Sequence, residues 1–100
     1  MGLVVEQSAE CSKPTVVCDV CRQRIVDAAD GNYEWVTAPE GSVSPIYFTH
    51  KRCSRLFEER MRRQQPQVRI GNMELAYLLV YLGNNLELDW DRAREGATWR

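Results

Sequence analysis

The feature that most constrains the fold of this chain is a set of three cysteines and one histidine arranged as two pairs. Cys18 and Cys21 have two residues between them, and 28 residues later His50 and Cys53 repeat that spacing. Three thiolates and one imidazole complete a tetrahedral zinc site, with Zn–S near ~2.3 Å and Zn–N near ~2.0 Å. The second pair lies at i, i+3 at a predicted helix start, which places both side chains on one face. The sequence therefore predicts a structural Zn²⁺ ion held by these four residues.

The other use of paired cysteines is in disulfides, which are typical of small secreted proteins. The segment from Met1 to Glu6 has no basic region and only a three-residue apolar run, so we expect no export signal. We therefore expect a cytoplasmic protein, in which paired cysteines favour metal, and we interpret Cys11 as a free thiol. Nothing approaches the roughly 20 apolar residues needed to span a bilayer, so no membrane partner is expected.

The segments around the two ligand pairs predict an α+β fold. Residues 15–17, 24–26, 33–37 and 46–48 are rich in β-branched or aromatic side chains and are predicted strands. Thr49 is a predicted N-cap for a helix from His50 to about Gln64, which Pro66 ends. Leu56, Phe57 and Met61 fall on the ligand side of that helix, so the ligand face is expected to be the buried face.

Two further helices are predicted in the last third of the chain. Asn72 is a natural N-cap for a helix that continues to Leu82, before Gly83 stops it. Asp89 is a predicted cap for a short helix from Trp90 to Glu95.

The order of cysteine turn, hairpin and ligand-bearing helix resembles that of treble-clef zinc fingers over residues 16 to about 64. Small prokaryotic and phage proteins of this kind often join a similar core to a helical tail of their own. The resemblance implies a structural metal held by the four ligands named above. It also implies a module at 16–65, followed by a helical tail at 66–100 that packs on it. The polar residues at the start of the chain show no periodicity, so residues 1–15 are a predicted flexible tail. In that family glycine often follows the second cysteine, whereas this chain has Arg22 there.

Enzyme signatures are missing from the sequence. Catalytic zinc usually keeps an open position, whereas four candidate ligands point to a closed site. The His-x-Glu and Pro-Cys-x-x-Cys elements of zinc deaminases are absent, and His50 is the only histidine, so none is left for an HNH-type nuclease. There is no βαβ setting for a thioredoxin-like cysteine pair and no glycine-rich phosphate loop. We expect neither catalysis nor a small-molecule substrate.

Charge is distributed unevenly along the chain, which suggests a macromolecular partner. Residues 1–50 carry a net charge of −4, residues 51–69 of +5 and residues 70–100 of −2. The basic segment supports an alternative function as a nucleic-acid-binding transcription regulator. Its candidate contacts are the exposed cations of the first helix, Lys51, Arg52, Arg55, Arg62 and Arg63. Glu58 and Glu59 interrupt this set at i, i+4 from two of the arginines, and a pI of about 5.8 is far from a basic footprint.

The apolar segment Leu75–Leu82 favours a protein partner instead. Every residue in it is apolar or tyrosine, and a helix that is apolar all round must be covered all round. One thin zinc module covers only part of it, so we expect another protein or a second copy on the remainder. The candidate contacts are Tyr77, Tyr81, Leu78 and Leu82. The sequence thus predicts a non-catalytic adapter, inhibitor or regulator that binds another protein.

Overall fold

The computed structural model describes residues 2–7 and 12–97, which form an α+β fold of two antiparallel sheets and three α-helices. In chain order the strands are β1 (Leu3–Gln7), β2 (Ser12–Val16), β3 (Gly31–Thr37), β4 (Tyr47–His50) and β5 (Arg69–Glu74). The helices are α1 (Ser54–Gln64), α2 (Leu75–Asn85) and α3 (Trp90–Gly96), with short 3₁₀ turns at Ala28–Asp30 and Lys51–Cys53.

A two-stranded sheet stands at the N-terminus, where the sequence predicts a flexible tail. β1 pairs with β2 in the register Leu3 to Val16 and Gln7 to Ser12. Gly2 is buried, and its carbonyl accepts a hydrogen bond from the Val17 N–H. Residues 3–7 are therefore paired backbone, while Cys11 lies outside the described residues.

The second sheet has the strand order β4-β3-β5 and separates two hydrophobic clusters. Successive residues of a strand point to opposite faces, so Tyr33 and Trp35 share one face of β3 while Glu34 and Val36 share the other. On the first side Tyr33 packs with Cys18, Ile25, Phe48 and Leu75. On the second side Val36 packs with Phe57 of α1 and with Val68. The sheet is thus covered on both faces. This packing holds β4, the strand that ends at His50, in place.

Between the cysteine turn and β3, the predicted strand at 24–26 is wrong. The backbone there makes a single bridge, between Arg24 and Val17. Ile25 points inward and is buried, whereas Val26 is exposed.

The start of α1 differs from the prediction. His50 is the last residue of β4 with extended backbone angles, a 3₁₀ turn follows, and the α-helix begins at Ser54. Thr49 does not cap it, because the Thr49 hydroxyl donates instead to the Glu34 carboxylate. The predicted end of this helix before Pro66 is confirmed, and so is burial of Phe57, whereas Leu56 is exposed.

β5 is the main element that the sequence does not predict, and the predicted helix start at Asn72 is wrong. Residues Arg69–Glu74 pair with β3 from Thr37 to Asn32. The Trp35 ring lies over Gly71, since a Cβ at Gly71 would come within 2.3 Å of Trp35 Cε2. An aromatic ring across from a strand glycine covers the exposed backbone, and this stabilises a strand that has weak propensity of its own.

The last two helices pack against each other at Gly83. The prediction that Gly83 ends α2 is wrong, because the helix continues through it to Asn85. A Cβ at Gly83 would lie 2.2 Å from Trp90 Cζ2, so glycine permits the close approach of α3. The predicted cap at Asp89 is confirmed, since its carboxylate accepts from the Arg92 N–H at 3.1 Å. Among the helices of residues 2–7 and 12–97, none has both the length and the apolar character of a bilayer span.

Candidate metal centre

The four predicted ligands meet at one point of the fold. Cys18 and Cys21 lie in the turn after β2, His50 ends β4 and Cys53 ends the following 3₁₀ turn. Their side-chain donor atoms all lie within 4.8 Å of one another. Residues far apart in the chain are thus close enough to hold a metal ion.

The separation of Cys21 and His50 fits a tetrahedral ion. Metal–ligand bonds of ~2.3 Å to sulfur and ~2.0 Å to nitrogen place a sulfur about 3.5 Å from the nitrogen and about 3.8 Å from another sulfur. The Cys21 Sγ lies 3.4 Å from His50 Nδ1. This pair already has the separation that a four-coordinate ion needs, and all four donor atoms lie within 4.8 Å of one another.

Hydrogen bonding of His50 assigns its ligand nitrogen. Nε2 of His50 lies 3.1 Å from the Arg24 carbonyl oxygen. A carbonyl only accepts, so Nε2 carries the proton and the Nδ1 lone pair faces the cysteines. Metal-bound histidines typically donate their second N–H to a carbonyl or carboxylate, which fixes the ring.

The cysteine turn is organised around Cys18. Backbone N–H groups of Val20 and His50 both donate to its sulfur at 3.4 Å, and the Arg22 N–H donates to its carbonyl at 2.9 Å. Arg22 adopts φ +65°, the left-handed region that glycine enters without cost. The turn therefore has the shape that favours glycine, and it forms here with a strained arginine.

The thiols of the cluster are poised unequally. Burial opposes ionisation of Cys18, but N–H groups at Cys21, His50 and Val20 outweigh it and lower the pKa of Cys18 to about 6. Burial, together with the neighbouring Cys18 and Cys21, raises the pKa of Cys53 to about 11. The backbone thus stabilises the Cys18 thiolate, whereas burial and the neighbouring cysteines disfavour the Cys53 thiolate unless a cation lies among them. A bound metal ion supplies that positive charge, and the thiols that coordinate it lose their protons as a result.

A buried carboxylate beside the centre was not predicted. Glu34 is fully buried in β3, and its two oxygens accept from the Thr49 hydroxyl and from the Ser54 hydroxyl, the latter at 3.2 Å. Burial raises the pKa of Glu34, while these two hydrogen bonds counteract the rise. A signal was present in the sequence: strand alternation puts Glu34 on the same face as Val36, which is a core position.

Three of the four candidate protein-binding residues lie on the exposed part of α2. Tyr77 and Tyr81 are each half exposed and Leu82 nearly so, whereas Leu78 is partly buried against the first cluster. The first turn of α2, beginning with Leu75, packs on the sheet, and the later turns project beyond it.

A groove of about 350 Å³ runs between the N-terminal hairpin and α2. Leu3 and Val16 line one wall, and Leu78, Leu79 and Leu82 line the other. The exposed leucines of α2 therefore belong to a concave, mostly apolar surface.

The candidate nucleic-acid contacts are all exposed, but several are engaged within the protein. Lys51 forms an ion pair of 2.7 Å with Glu74, and Arg55 forms one of 3.7 Å with Glu59. Arg62 donates to the Val68 carbonyl at 3.3 Å. Arg52 and Arg63 complete the set on the surface of the 3₁₀ turn and α1. The five cations form a basic surface in which Lys51, Arg55 and Arg62 are already engaged by other groups of the protein.

Comparisons with protein-family models, curated proteins and solved structures find no match to this chain. The interpretation of the cluster therefore depends on its own geometry and donor chemistry. These show a small α+β domain with a three-cysteine, one-histidine cluster that can bind a metal ion.

Proposed function

We propose that this protein is a non-catalytic, treble-clef-type zinc protein that acts as an adapter, inhibitor or regulator by binding another protein through α2. The observation that carries the protein-binding part is the apolar surface of α2. Five of its side chains are 45–61% exposed, namely Tyr77, Leu79, Val80, Tyr81 and Leu82, and Leu86 just after the helix is 76% exposed.

Zinc is the metal that this donor set favours. Three thiolates and an imidazole suit Zn²⁺, whereas carboxylate and carbonyl oxygens suit Mg²⁺ and Ca²⁺. Cys18, Cys21, His50 and Cys53 would hold the ion, and the ion would supply folding free energy. Because four protein ligands fill a tetrahedral shell, no position is left for substrate or water, which supports a structural role.

The character of α2 supports a protein as the partner. The helix has no charged residue from Leu75 to Asn85, and the groove beside it has apolar walls. An apolar surface flanked by polar residues is typical of protein interfaces, and tyrosine offers both apolar area and a hydroxyl at the rim. Nucleic acid would instead require free cations, and the basic surface already pairs Lys51 and Arg55 internally.

The test replaces Tyr77 and Tyr81 together by glutamate in the full, zinc-loaded chain. Light scattering should show that wild-type self-association, or a complex with the partner, is lost while one zinc per chain remains. A photo-crosslinker at Tyr77 identifies a partner other than a second copy, and one at Gln67 is its control. The matched control variant is Gln64→Glu with Gln67→Glu, which adds the same two carboxylates on exposed positions outside α2.

Three outcomes would overturn this proposal. The first is a wild-type monomer without a crosslink from Tyr77. The second is an equal loss of binding in the control variant. The third is salt-sensitive retention on DNA that Arg52→Glu with Arg63→Glu abolishes, because phosphate binding weakens steeply with salt while an apolar interface does not. That result would establish the nucleic-acid alternative.

A further inference from the structure

We propose that Glu34 is a positioning residue of the metal centre, because its carboxylate holds both ends of the segment that carries His50 and Cys53. One oxygen accepts from Thr49, the residue before His50. The other accepts from Ser54, the residue after Cys53. This inference rests on the proposed metal centre and assigns a role to a residue outside its ligand set.

The ligand segment lacks the side-chain caps that usually fix such a turn. His50 and Cys53 occupy the N-cap positions of the 3₁₀ turn and of α1, and neither makes a side-chain capping hydrogen bond. Both side chains are instead turned toward the cluster. Beside the backbone hydrogen bonds of the segment, the flanking hydroxyls of Thr49 and Ser54 supply a side-chain restraint at each end, and both bond to Glu34.

The burial of Glu34 makes this restraint rigid. The side chain has no exposed surface, and a buried carboxylate is costly unless hydrogen bonds satisfy it. A residue there for packing alone would be apolar, as Val36 is on the same strand face. The other carboxylate that contacts the segment, Glu74, bonds to Lys51 through a half-exposed ion pair, which is a weak restraint.

The experiment uses Co²⁺ as a spectroscopic substitute for zinc in the full chain. The variants are Glu34→Ala, Thr49→Val and Ser54→Ala, with Glu34→Gln as the conservative replacement. Outer hydrogen-bond partners of metal ligands typically change metal affinity 10- to 100-fold, so we expect roughly tenfold weaker Co²⁺ binding by Glu34→Ala. Glu34→Gln should restore most of the affinity, since its amide can still bond to both hydroxyls.

A readout specific to positioning is the alkylation of Cys53 relative to Cys18 in the Co²⁺-loaded protein, measured by mass spectrometry. Releasing the second ligand pair should raise this ratio roughly tenfold and alter the Co²⁺ absorption bands. Val36→Ala is the matched control. It weakens the same strand by lost packing, and through folding it weakens metal binding too, but it should leave the ratio and the bands unchanged.

The outcomes separate this proposal from the metal centre itself. A wild-type chain that binds neither Co²⁺ nor Zn²⁺ overturns both. A wild-type chain that binds the metal, with an unchanged alkylation ratio in Thr49→Val and Ser54→Ala, overturns the positioning role alone. Those two variants keep the carboxylate in place, so they decide the matter even where Glu34→Ala does not fold.

Discussion

Two regions of the molecule, the metal-centred region (the four candidate ligands with Arg24, Glu34, Thr49 and Ser54) and α2, differ in the kind of contact that their side chains make. Around the cluster, directional contacts fix each group: His50 donates to the Arg24 carbonyl, Cys18 accepts two N–H groups, and Glu34 accepts two hydroxyls. In α2 the first turn packs on the sheet and Gly83 packs against Trp90, but Tyr77, Leu79, Val80, Tyr81 and Leu82 remain in contact with solvent. The first region can thus complete its interactions within one chain once a metal is bound. The second has apolar area that the described chain does not cover.

This difference means that the two regions should respond to different changes. A hydrogen bond or metal–ligand bond is lost when one of its two atoms is replaced. The free energy of an apolar contact instead falls with the apolar area that a substitution removes. A change confined to one region should therefore leave the other intact.

The largest effect should follow loss of a metal ligand. Cys53→Ser, or removal of the ion with a chelator, should unfold the metal-centred region, because metal binding contributes on the order of 10 kcal/mol to folding in small zinc domains. Circular dichroism and metal analysis provide the measurement. Cys11→Ser, at the cysteine outside the ligand pattern, is the control and should keep one zinc per chain. A native protein without zinc and without free thiols would contradict the metal assignment and favour disulfides.

A smaller effect, confined to the second region, is expected from Gly83→Val. The added side chain meets the Trp90 ring, and overpacking of this kind costs about 1–3 kcal/mol. Urea unfolding should show the loss, and the Trp90 indole signal in NMR should shift. Gly96→Val is the control, because a Cβ at Gly96 has nothing within 4 Å. If Gly83→Val also changed the Co²⁺ bands of the metal centre, the two regions would not be separable.

The smallest effect is a gain in stability at the cysteine turn. Arg22→Gly should stabilise the protein by about 1 kcal/mol, because a non-glycine residue in the left-handed region costs about 1–2 kcal/mol, partly offset by the flexibility of glycine in the unfolded chain. Thermal unfolding of the loaded protein measures it. The neighbouring change Gln23→Gly should have the opposite sign, since φ is not positive there. A loss of stability in Arg22→Gly would show that the arginine side chain contributes more than its backbone strain costs.

Sequence reasoning identified the metal cluster because ligand chemistry is coded by residue type and short spacing. One Cys–Cys pair and one His–Cys pair, each with two residues between its members, are recognisable without knowledge of the fold. The end of α1 before Pro66 and the cap at Asp89 were equally accessible, since both signals act within a few residues.

The elements that were missed depend on partners distant in the chain. Gly71 and Asn72 are poor strand residues, and β5 forms because β3 offers a free edge and Trp35 covers the glycine. Thr49 carries a good N-cap signal, but Glu34, fifteen residues earlier, takes its hydroxyl. In both cases a nonlocal contact overrides a local preference. The exposure of α2 was inferred from the sequence, whereas the identity of what covers it stays a prediction.

The position of β5 has a consequence for synthesis of the chain. All four candidate metal ligands lie within the first 53 residues and leave the ribosome before the third strand of the sheet, which ends only at residue 74. At about 5–20 residues per second, the intervening segment takes roughly one to four seconds to translate. During that interval the nascent protein has a complete ligand set and an unpaired edge on β3. Early metal capture would therefore organise the half-built sheet just when its open edge makes the growing chain most vulnerable to wrong pairing.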